Sequence, residues 1–132
     1  EALLQSGADG VMVGRGAYGA PWMAGRIAQA LATGADPGDP EPTRQCEILI
    51  GHYEAMLSHY GTELGIRNAR KHLVWALERR IADVPAQKAW RRRLCGSDDP
   101  RAVVQCQHKL LLRHVLARAL PVSAPGASRR RA

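Results

Sequence analysis

The sequence predicts a mixed fold class, α/β plus all-α, with most of the chain helical. Three observations predict it. An apolar run bounded by glycines, Gly10 to Val13, stands near the N-terminus. A Pro/Gly-rich stretch, Thr33 to Pro42, then interrupts the pattern. Everything after it carries apolar residues at helical spacing, with no alternation of the strand type.

Glu1 to Ser6 reads as the end of a helix, and Gly7 suits the position just past it. Gly10 to Val13 fits a short strand buried on both faces, as in a parallel sheet. Gly14 to Ala20 is a turn, and Pro21 opens a helix where its missing N–H costs nothing. That helix reaches about Leu31, with Trp22, Ile27 and Leu31 near one face. Residues 1–32 therefore read as one unit of an α/β fold, and 33–42 as a linker. Residues 43–120 read as four helices. The first is capped by Thr43 and runs to Tyr60, with Leu49, Tyr53 and Met56 at helical spacing. Gly61 ends it. The others span about Glu63 to Arg80, Pro85 to Leu94 and Asp99 to Leu120. Short connections make neighbours antiparallel, so a small four-helix bundle is expected. Residues 121–132 read as a disordered Pro/Ser/Arg tail.

The chain has 132 residues and a net charge of +7, unevenly placed. Residues 1–66 hold 3 Lys/Arg against 8 Asp/Glu, while residues 67–132 hold 16 against 4. A basic half beside an acidic half points to a polyanionic partner. No apolar run approaches the roughly 20 residues of a membrane span, so no membrane partner is expected. Cys46, Cys95 and Cys106 are odd in number and lack CxxC spacing, which indicates neither a disulfide framework nor a metal site. They fit a reducing cytoplasm, and Cys46 and Cys106 read as packing residues. The chain opens at Glu1 with neither an initiator Met nor a signal peptide, so the C-terminal part of a longer protein is expected.

Two segments carry chemistry. Gly14-Arg15-Gly16-Ala17-Tyr18-Gly19 matches GxGxxG. A dinucleotide site would also need a second strand ending in an acidic residue about 20 residues on. That distance lands on Asp36 and Asp39, inside the linker. The alternative is the last βα unit of a (β/α)8 TIM barrel, whose final loops often bind a phosphate. Glycines let backbone N–H groups approach the anion, and Arg15 adds a charge-assisted contact. A plain tight turn, with Arg15 paired elsewhere, is a third reading. The second segment is a cationic helix. Arg67, Arg70 and Lys71 share one stripe, while Ile66, Ala69, Leu73, Ala76 and Leu77 form the opposite, apolar face. Lys88, Arg91, Arg92 and Arg93 supply a second cluster. Such clusters neutralise phosphates without reading sequence; a solvated face with no partner is the plainer reading.

Two stretches resemble the C-terminal part of bacterial tRNA-dihydrouridine synthases, in particular the B-type, or nitrogen-regulation-type, branch. They are SGADGVMVGRGAYGAPW, Ser6 to Trp22, and HYEAMLSHYGTELGIRNARKHLVWAL, His52 to Leu77. The likeness covers about Glu1 to Leu120. It implies an FMN-dependent oxidoreductase that reduces the 5,6 double bond of uridine in tRNA, with NADPH as reductant. It implies a TIM barrel, ending near residue 32, followed by a helical tRNA-binding domain. Gly14 and Arg15 match the family's turn for the FMN phosphate, and Arg67, Arg70 and Lys71 its tRNA-facing helix. The family's catalytic cysteine lies on a barrel loop upstream of Glu1, so no catalytic residue is expected here and the chain alone should be inactive. A monomer without metal is expected. The alternatives are a non-catalytic helical RNA-binding module and another FMN-dependent barrel oxidoreductase.

Overall fold

Helix punctuation decides where the elements lie. Pro42 stands in the first turn of one helix and Pro85 in the first turn of another, where a missing N–H is harmless. Asp83 caps the latter, its carboxylate accepting from the Ala86 backbone N–H at 2.8 Å. In the computed structural model, residues 5–119 are described, with side chains through residue 113. Five α-helices result: α1 Met23–Thr33, α2 Pro42–Tyr60, α3 Thr62–Arg80, α4 Val84–Cys95 and α5 Pro100–Ala119. A single 3₁₀ turn, Arg15–Ala17, precedes them. The expectations for Glu1 to Leu4 and for residues 120–132, including Arg129, Arg130 and Arg131, lie outside the described residues.

Helices α2 to α5 pack in a ring: α2 on α3, α3 on α4, α4 on α5, and α5 back on α2. The core sits between them. Tyr53 and Met56 from α2 meet Ile66, Leu73 and Leu77 from α3, Trp90 and Leu94 from α4, and Val103 and Leu110 from α5. The face of α3 assigned as apolar is buried at all five positions, from Ile66 to Leu77. A second, smaller cluster joins Ala20 and Trp22 to Leu49 of α2 and Ala76 of α3. It seats the N-terminal segment on the bundle.

The expected strand at Gly10 to Val13 does not form; the described residues contain no strand. The reason is pairing. A strand satisfies its N–H and C=O groups only through neighbours, and none of the described residues offers an edge. Val11 is 47% exposed and Met12 94% exposed. Helix α1 shows the same deficit: Trp22 before it is buried, but Leu31 is 56% exposed and no residue of α1 is fully buried.

Glycine sets the closest helix contact. A Cβ at Gly65 would lie 2.7 Å from the Leu57 Cα and 2.9 Å from the Met56 carbonyl oxygen. Only a hydrogen there lets α3 lie this near α2 after the one-residue turn at Gly61. Gly65→Ala should therefore destabilise the chain by about 1–3 kcal/mol through overpacking. Gly51→Ala, on the exposed side of α2 with open space around it, should stabilise by about 0.5–1 kcal/mol. Urea unfolding of the two variants beside the parent checks both signs.

Candidate nucleic-acid and phosphate sites

The cationic stripe is built by helical spacing on the outer side of α3. Arg67 and Lys71 are exposed, and neither meets a carboxylate among the described residues. Arg70 differs. Its guanidinium donates to Asp98 at 2.7 Å, reaching from α3 to the connection between α4 and α5. Its Nε is buried and lacks a partner. The Asp98 side chain is 87% exposed, so this is a surface ion pair worth well under about 1 kcal/mol. The structure thus places the three cations on one helix but leaves only two of them without a counter-charge. On α4, Arg93 folds over the Trp90 ring at 5.5 Å. Lys88, Arg91 and Arg92 remain along an open groove that also includes Cys95 and Gly96.

The glycine turn does not lead directly into a helix. Gly14 and Arg15 instead enter the 3₁₀ turn, closed by Ala17 N–H donating to Gly14 O and Tyr18 N–H donating to Arg15 O, both at 3.0 Å. Arg15 is exposed, and Gly14 and Gly16 have open space on the side where a Cβ would stand. This donor set suits one phosphate group.

Residues 18–39 tie the turn to α3. The Tyr18 ring lies flat on Trp75, centroids 3.8 Å apart and planes 6° apart. At Gly19, φ is +70°, and a Cβ would sit 2.4 Å from the Trp75 carbonyl oxygen. Trp22 Nε1 donates to Asp39 at 3.0 Å. Arg26 bridges two acids, donating to Asp36 at 2.6 Å and to Asp39 at 2.8 Å. Arg79 of α3 approaches the other oxygen of Asp39 at 3.6 Å. The Pro/Gly stretch is thereby folded back on α1 and pinned to the bundle. Sequence reasoning weighed Asp36 and Asp39 only as cofactor contacts and missed this clamp. The available signal was an acidic pair within one loop of a helical arginine.

Charge follows geometry here. Hydrogen bonding from Arg26, with help from the Gly38 N–H, lowers the Asp36 carboxyl to about 2. The Trp22 indole and then Arg26 hold Asp39 below its ordinary value. Burial pushes the Cys46, Cys95 and Cys106 thiols up. That disfavours the thiolate each would need to act as a nucleophile. Burial lowers His72, whose ring meets His52 at 5.0 Å and Trp75 at 5.1 Å, both edge-on. No group of three or more His, Cys, Asp or Glu among the described residues could hold a metal ion. No described helix is long and apolar enough to cross a membrane.

Comparison with known proteins gives a consistent match. The family model described as Dihydrouridine synthase (Dus) matches residues 1–116. A probable tRNA-dihydrouridine synthase of Rickettsia typhi is 42% identical over 103 residues, 78% of this chain and 30% of that protein. One of Rhodobacter capsulatus is 54% identical over 86 residues, 65% of this chain and 26% of that protein. The tRNA-dihydrouridine synthase B of Xanthomonas axonopodis pv. citri is 45% identical over 75 residues, 57% of this chain and 23% of that protein. The chain thus spans less than a third of the length of these relatives. No solved structure matches.

The clamp has an acid limit. A carboxyl held below its ordinary value contributes stability above that value and loses it as pH falls. Asp36 should therefore keep its ion pair down through pH 3.8 and release it toward pH 2. Its carboxyl resonance should titrate near 2 in the parent and move back toward 3.8 in Arg26→Gln.

Proposed function

The chain belongs to the dihydrouridine synthase family, and we propose that it is the C-terminal portion of a cytoplasmic, FMN-dependent tRNA-dihydrouridine synthase using NADPH. The observation that carries this reading is the match over residues 1–116. It spans both the Gly14-Arg15 turn and the Arg67–Lys71 stripe. The relatives' names supply the substrate class, tRNA, and the product, dihydrouridine.

On this reading residues 1–32 are the end of a TIM barrel, 33–42 a connection, and 43–120 a tRNA-binding domain. The bare segment at Val11 and Met12 supports the first assignment, because it carries apolar residues that a parallel sheet would cover. When bound, FMN supplies the hydride chemistry for the uracil ring. Gly14 and Arg15 bind its phosphate, through backbone donors and one guanidinium. Arg67, Arg70 and Lys71 neutralise tRNA phosphates, Arg70 by exchanging Asp98 for phosphate. The exchange costs little, because the Arg70–Asp98 pair is exposed. Cys46, Cys95 and Cys106 are packed into the helical part rather than at the turn, so none is placed to protonate uracil there. Residues 1–132 by themselves therefore bind tRNA without reducing it.

Binding of the chain to unmodified tRNA over a salt series tests the reading. Affinity should fall steeply with salt. Arg67→Glu combined with Lys71→Glu should abolish most of the binding and lower the salt slope by about one for each phosphate no longer neutralised. Arg70→Ala should cost less than Arg67→Ala, because Arg70 must first leave Asp98. Equal competition by duplex DNA, or unchanged binding by the double variant, would remove the support for a tRNA-facing helix. Incubating the parent chain with tRNA, FMN and NADPH should give no dihydrouridine.

A further inference from the structure

Tyr18 is an aromatic ring covered on one face and still partly exposed. Trp75 covers it at 3.8 Å, nearly parallel, yet 44% of the residue remains exposed. The ring is held in place from behind. Gly19, the next residue, presses its backbone on the Trp75 carbonyl, and Ala20 is fully buried against the bundle. His72 meets the edge of Trp75 and fixes that ring in turn. A stacking surface costs least to use when it needs no ordering on binding.

Its surroundings are cationic on one side. Lys71 and Arg67 lie four and eight residues before Trp75 on α3. At 1.5 Å per residue they stand about 6 and 12 Å along the axis from Trp75, turned by roughly 40° and 80°. Arg15 lies one 3₁₀ turn before Tyr18, joined to it by the hydrogen bond from Tyr18 N–H. Two acids stand at the ends of this stripe: Glu63, four residues before Arg67, and Glu78, three residues beyond Trp75. A ring backed by a second ring, with cations spaced along one side, is the arrangement that binds single-stranded nucleic acid. A free apolar peptide would gain nothing from the cations.

We propose that the outer face of Tyr18 is a nucleobase-stacking site, where an unpaired base of bound RNA rests while its backbone runs over Lys71 and Arg67. The site takes any base, since every base offers a π-face, and it selects unpaired over paired nucleotides. The proposal rests on the reading of the α3 stripe as RNA-facing.

The test uses the full chain with two probes: a short oligouridylate and an abasic sugar-phosphate strand of equal length and charge. The parent should prefer the oligouridylate by roughly five- to a hundredfold. Tyr18→Phe should keep that preference. Tyr18→Leu, which retains apolar cover on Trp75 but removes the ring, should lose it while binding the abasic strand like the parent. A Tyr18→Leu variant that still discriminates the two strands overturns the proposal. If Arg67→Glu with Lys71→Glu leaves both affinities unchanged, the RNA-facing reading itself fails and the stacking site falls with it. A stripe that responds while Tyr18→Leu does not separates the two failures.

Discussion

Helix α3 is approached on two sides at backbone distance, and the rest of the structure depends on that. At Gly65 the α2 backbone comes where a Cβ would otherwise stand. At Gly19 the N-terminal segment does the same against Trp75. With both contacts made, the inner face of α3 has no choice but to supply the core, and Ala69 and Leu77 are each 1% exposed. Its outer face is left to charged residues. One helix thereby carries packing on one side and candidate ligand contacts on the other. Proteins pack too densely to let these two faces shift independently.

The electrostatics divide into engaged and free charge. Asp36 and Asp39 are engaged by Arg26, Trp22 and Arg79. Asp98 is engaged by Arg70, and Arg93 by the Trp90 ring. Several carboxylates of the acidic half are thus neutralised, Asp36 and Asp39 within that half by Arg26 and Asp39 also by Arg79 from the basic half. Charge that stays outward-facing without an ion pair among the described residues includes Arg67 and Lys71 on α3 and Lys88, Arg91 and Arg92 on α4, alongside the acids Glu54, Glu63 and Glu78.

Most of the helical part was legible in the sequence because its signals are local. Gly61, Pro85 and Pro100 mark the ends of elements to within a residue or so, and 3.6-residue spacing picks out the buried face of α3. Thr43, read as a cap, instead lies inside α2, whose first turn holds Pro42 and whose cap position is Glu41. The limits of that reading are equally physical. The apolar run at Gly10 to Val13 has strand character, but a strand exists only with a partner. Thr33 to Pro42 has linker composition, yet composition does not reveal that Arg26 and Arg79 hold its two acids. Arg70 shares a helical stripe with Arg67 and Lys71, and spacing alone gives no hint that Asp98, 28 residues later, has reached it. Each discrepancy is a long-range contact. For the candidate sites, the sequence singles out the turn and the stripe, whereas the stack of Tyr18 on Trp75 that joins them is a tertiary contact absent from it.

That junction has a consequence for anything touching both segments. Because Tyr18, Gly19 and Trp22 are each fastened to α3 or to the clamp beside it, the Gly14-Arg15 turn and the Arg67–Lys71 stripe form the two jaws of a fixed calliper. A hinged pair of sites can accept ligands of many spans; a calliper accepts one. Under the proposed function, the distance from cofactor phosphate to RNA backbone is gauged by this junction, and selection by length needs no sequence-reading contact.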